Sequence, residues 1–142
     1  MYTGLKHLHS YTAYITLALL VIALIYALYG YFSKQSFTKT SKITALTALY
    51  GAHIQFIFGL VLYFVSPMGF SNFSSKAMSH ELSRLYILEH PFVMIIGIVL
   101  ITVGYARSKR LESDQRKFRS ISVFYFLGLL AILSRIPWQA WI

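Results

Sequence analysis

The sequence predicts an all-α integral membrane protein, a four-helix bundle with both termini on the outer side of the membrane. Three observations carry that prediction. The 142 residues are 57% hydrophobic and 12% charged, where a soluble domain carries about 25% charged residues. The apolar residues gather into four blocks, each close to the roughly 20 residues that a helix needs to cross a hydrocarbon core. And the basic residues are concentrated in two of the short segments between the blocks.

The spans are expected at about 11–31, 43–65, 85–106 and 121–141, in one domain covering 1–142. Continuous apolar blocks fit helices, because a barrel strand would alternate. The first block is too long for the core of a signal peptide and is followed by no small-residue cleavage site, so it is expected to remain as a span. The segment 33–42 carries Lys34, Lys39 and Lys42. The segment 107–119 carries Arg107, Lys109, Arg110, Arg116, Lys117 and Arg119. Nine of the 13 Lys and Arg residues therefore lie in these two segments, which the positive-inside rule places in the cytoplasm. Trp138 and Trp141 read as an outer interfacial anchor, and Tyr29, Tyr31 and Phe32 as an inner one. In the longer middle connection, Ser79 reads as a helix cap with Glu81 in the first turn. Pro91 is expected to start or kink the third span.

Several function classes drop out. The chain has no cysteine, which excludes disulfides, thiolate clusters and covalent c-type haem. The excess of Lys and Arg is explained by topology, not nucleic acid. No inverted repeat or pair of broken helices suggests a transporter. No nucleophile–base–acid set or carboxylate pair within the spans suggests hydrolysis.

Ionisable residues inside spans are costly and usually face a bundle interior. Here they are few. His9, His90 and Arg135 all belong to the outer half. At 1.5 Å per residue, His90 and Arg135 stand about 24 Å and 22 Å from the inner face, His9 about 31 Å and His53 about 15 Å. His9 shares a stripe with Ala13, Thr16, Ala23, Ala27 and Gly30. His90 shares one with Met94, Gly97 and Gly104, and Gln55 and Gly59 share a face of the second span. Small residues in such stripes serve close helix packing, and a lone histidine there is commonly an interhelical hydrogen-bonding group. They also suit a slot for a flat macrocycle. Two histidines from opposite helices can provide both axial ligands of a haem b iron. His53 is the alternative ligand. Arg135 is placed to offset haem propionates.

The fragments LHSY (8–11), GAHIQFIFGLVLYFVSPMGF (51–70), LEHPF (88–92), ITVGYARSKR (101–110) and SRIPW (134–138) resemble a family of small bacterial four-helix membrane proteins described as cytochrome b-like. The resemblance covers nearly the whole chain. More distantly, the order of His9, the QFIFG of the second span and His90 is similar to one four-helix half of haem A synthase. The resemblance implies axial ligation by His9 and His90, a mid-bundle pair in Gln55 and Gly59, and residence in the bacterial inner membrane. Haem A synthase has two such halves where this chain has one, and no acidic residue precedes His9. The expected function is electron transfer, or a haem-bearing subunit working with other membrane subunits or with a redox partner such as quinone. The alternative is a cofactor-free subunit that supports a membrane complex.

Overall fold

The computed structural model describes residues 1–141, and every regular element among them is helical. Four long helices make the bundle: α1 (Tyr2–Phe32), α2 (Lys39–Val65), α3 (Glu81–Arg110) and α4 (Asp114–Ser134). All four are long and apolar enough to cross a membrane. Around the bundle they run α1, α2, α3, α4 and back to α1, so α1 faces α3 across the middle and α2 faces α4. No more than 44% of the most apolar window of any of them is buried. The rest forms an outward belt of Ile, Val, Leu and Phe, including Ile22, Ile25, Val99 and Leu130. A water-soluble monomer rarely exposes so large a contiguous apolar surface, whereas lipid solvates it. The chain has the build of a multi-pass membrane protein.

The helices outrun the apolar blocks that announce them, because backbone bonding does not stop where the hydrocarbon does. Polar ends are set by local chemistry. Thr38 and Ser41 form a capping box that starts α2, the Thr38 amide donating to Ser41 Oγ over 3.1 Å. Ser113 caps α4 by accepting the Arg116 amide, with Asp114 in the first turn. After α1, Gln35 donates to Gly30 O and Lys34 to Tyr31 O, the pair of bonds that closes a Schellman turn. Lys34 accordingly takes a left-handed φ of 52°.

Two boundaries differ from expectation. α4 ends at Ser134, not at Trp141, because Pro137 disfavours helix at the residue before it. A separate turn, Trp138–Trp141, folds back so that Trp141 stacks on Tyr14 of α1 with ring centres 4.4 Å apart. The N-cap of α3 is His80, and Ser79 instead donates its hydroxyl to Lys76 O.

Between α1 and α2 the buried core is concentrated in the end nearer the two basic connections, while α3 and α4 also bury Ile87, Gly97, Leu129 and Ile132 toward the other end. α1 contributes Thr16, Leu20, Ala23, Leu24, Ala27 and Gly30, and α2 contributes Ser41, Ala45, Ala48, Leu49 and Ala52. Alanines let these two backbones approach closely. Tyr125, fully buried, reaches across from α4 to donate to Ala45 O over 2.7 Å. In the other half, neither α1 before Thr16 nor α2 after Ala52 buries a single side chain.

Candidate functional site

His9 and His90 meet in the half away from the basic connections. α1 and α3 stand on opposite sides of the bundle, and the two imidazoles reach inward from them. Their ring centres lie 6.4 Å apart and their planes are perpendicular.

On α3 the approach is prepared by Pro91. A proline has no amide hydrogen and its ring crowds the carbonyl four residues back, which here is Ile87 O. The helix answers with one π-helical turn, Leu85–Glu89, in which the His90 amide bonds Leu85 O. The freed Ile87 carbonyl accepts the hydroxyl of Tyr63 from α2, at 2.7 Å. Such wide turns recur at functional sites because they re-aim the side chains that follow. His90 comes directly after this one. Its Nδ1 lies 2.8 Å from Arg135 O. A carbonyl only accepts, so Nδ1 carries the ring proton and Nε2 keeps its lone pair.

On the other side, α2 receives His9. A Cβ at residue 59 would stand 2.9 Å from His9 Cε1, so only glycine leaves the imidazole this seat. One turn earlier, Gln55 Nε2 donates to His9 O over 2.8 Å, which fixes the amide's orientation. The same nitrogen lies 3.1 Å from His9 Nδ1. In this arrangement Nδ1 accepts and the proton of His9 sits on Nε2. The Thr12 hydroxyl lies against Gln55 Oε1 and also 2.7 Å from Leu8 O, and its one proton serves one of them at a time.

Arg135 is present at this end. Its backbone oxygen orients His90, while its guanidinium donates to Ser134 O and lies 3.5 Å from Glu89. The other oxygen of Glu89 takes Arg84 at 2.9 Å. Two arginines therefore share one carboxylate, leaving a net positive charge beside His90. Sequence reading placed Glu89 beside His90 near the outer end of the third span, but gave neither it nor Arg84 a part in the site. Their signal was a carboxylate one residue from the histidine and an arginine five before it.

The remaining candidates lie elsewhere. His53 pairs with Thr102 of α3 at 3.2 Å. The Thr102 hydroxyl already donates to Ile98 O, so His53 Nε2–H is the donor. Gly97 belongs to the α3–α4 crossing. A Cβ there would come within 2.7 Å of Ile132 Cγ1 and 3.1 Å of Gly128 O. The structure thus gathers His9, His90, Gln55, Gly59 and the Arg135 backbone, and uses His53 and Gly97 to hold helices together. Among the described residues, no group of three or more His, Cys, Asp or Glu side chains is placed to hold a metal ion.

Family models, curated proteins and solved structures were compared with the chain, and none matches.

Proposed function

We propose that His9 and His90 are the axial ligands of a b-type haem, and that the protein serves electron transfer or acts as a haem-bearing subunit of a membrane complex. The observation that carries this reading is the spacing of the two rings. Metal–nitrogen bonds of about 2 Å, with about 1.2 Å from each bound nitrogen to its ring centre, require about 6.4 Å between centres. The observed separation is 6.4 Å. Direct hydrogen bonding between the rings would draw them closer than this.

Two further features fit. His90 donates Nδ1–H to a backbone carbonyl, the partner that ligating histidines commonly have, which orients the ring and raises its basicity. And the two imidazoles come from helices on opposite sides of the bundle, with glycine at residue 59 leaving room for one of them. Four-helix bundles commonly build cofactor sites from side chains on facing helices. When bound, the haem would supply one-electron chemistry. The chain's part would be to hold two imidazoles opposite one another, to seat one against Gly59, and to set positive charge from Arg84 and Arg135 beside His90. Ligation through His9 Nε2 requires the ring proton on Nδ1, so the Gln55 amide must turn its oxygen toward that nitrogen.

This last requirement favours the second reading, a cofactor-free subunit, because Gln55 as found stabilises the other tautomer. In that reading the histidines are interhelical polar groups, and the outward apolar belt packs against a neighbouring subunit. The positive-inside rule supports cytoplasmic segments 33–42 and 107–119, outward-facing termini and, with the quoted likeness, the bacterial inner membrane. The two readings separate when protein from haem-replete cells is reduced with dithionite. A sharp haem α-band is expected, and pyridine haemochrome gives one haem per chain. No band would leave the cofactor-free reading standing.

A further inference from the structure

Independently of the haem reading, we propose that the cleft between the basic ends of α3 and α4 binds the headgroup of an anionic phospholipid. The cleft holds about 450 Å³. Its lining includes Arg107, Arg116 and Arg119 together with Val123 and Phe124. The Arg107 guanidinium stands over the Phe124 ring at 5.5 Å.

Three guanidinium groups around one cavity repel one another unless an anion is shared. None is supplied by the chain: both ion pairs among the described residues are on Glu89, at the opposite end of the bundle. Glu112 and Asp114, the acids of this connection, make no ion pair with the arginines. The depth of the cleft decides what kind of anion fits. Arg107 follows the buried Gly104 and Tyr105 of α3, and Arg119 directly precedes the buried Ser120 and Ile121 of α4. The arginines thus ring the edge of the apolar span. Half-exposed Val123 continues outward from them along the lipid-facing surface. A free phosphate would use only the charges. A phospholipid uses the charges for its headgroup and the apolar wall for its chains, and basic pockets between helices at such an interface bind headgroups in this manner.

The test is native mass spectrometry of the full chain released from micelles doped with equal phosphatidylglycerol and phosphatidylcholine. Phosphatidylglycerol adducts are expected to dominate. The R107Q/R119Q variant is expected to lose retention roughly 25-fold, at roughly five-fold per arginine. Arg107→Lys, which keeps charge and fold, is expected to keep the preference more weakly. Lys39→Gln with Lys42→Gln, at the other basic connection, is expected to leave retention unchanged. Equal retention of the two lipids would overturn the proposal. So would equal loss in the lysine variant, which would mean diffuse charge, or displacement by excess inorganic phosphate, which would mean a site for free anions.

Discussion

Tyr63 of α2 donates its hydroxyl to Ile87 of α3 across 2.7 Å, and the carbonyl it finds is the one that Pro91 leaves without its helical amide. One proline thereby creates both the wide turn before His90 and the acceptor that ties α3 to α2. Ile87 is 1% exposed, so this acceptor has no water to turn to.

Tyr63→Phe should therefore destabilise the bundle by about 1–2 kcal/mol, the cost of an unpaired buried acceptor. Pro91→Ala restores an amide to α3 and should remove most of that cost in the double variant. Thermal unfolding in detergent of the two single variants and the double one closes the cycle. Additive losses would show that the two residues act separately.

Tyr125→Phe should cost a similar amount, about 1 kcal/mol. It deletes the bond to Ala45 O that spans the bundle between α4 and α2 while keeping the ring that fills the core. The loss should appear as a lower unfolding temperature with the haem spectrum unchanged, since Tyr125 belongs to the half away from the histidines.

Ser122→Ala should be neutral or stabilising. Its hydroxyl is buried and is the one buried side-chain polar atom among the described residues without a partner. Deleting it removes a desolvated group and leaves a good helix former. A clear drop in unfolding temperature would contradict this.

Gly59 and Gly97 should behave oppositely. Gly59→Ala presses on His9 Cε1, the end of a movable side chain, so it should disturb the site more than the fold. Gly97→Ala presses on the backbone oxygen of Gly128 as well as on Ile132, so it should part α3 from α4 and lower stability by about 1–3 kcal/mol. Unfolding temperature and haem content, measured on both, separate the effects.

These residues also show what could be read from the chain alone. Four spans and the meeting of His9 with His90 were legible, because block length and charge distribution are direct consequences of a bilayer. The apparent height difference between the histidines came from counting inward to Gly30 and Ala106. α1 in fact ends at Phe32 and α3 at Arg110. Recounted at 1.5 Å per residue, His9 stands about 34 Å and His90 about 30 Å from those ends. Gln55 and Gly59 could be placed on one face, but no spacing rule says that the face belongs to His9. The π-helical turn was hidden for a related reason. Pro91 announces a disturbance, and only a partner from α2 decides its form. Gly97 was read with His90 because both lie on one stripe. A stripe meets several neighbours, and at Gly97 the neighbour is Gly128.

The most direct test of the central claim is the electron paramagnetic resonance spectrum of the oxidised protein, recorded for the wild type, His90→Ala and His53→Ala. Two imidazoles held perpendicular to one another should give a highly anisotropic low-spin ferric signal. That signal should vanish in His90→Ala and persist in His53→Ala. A low-spin signal that survives the loss of His90 and disappears with His53 would contradict the assignment.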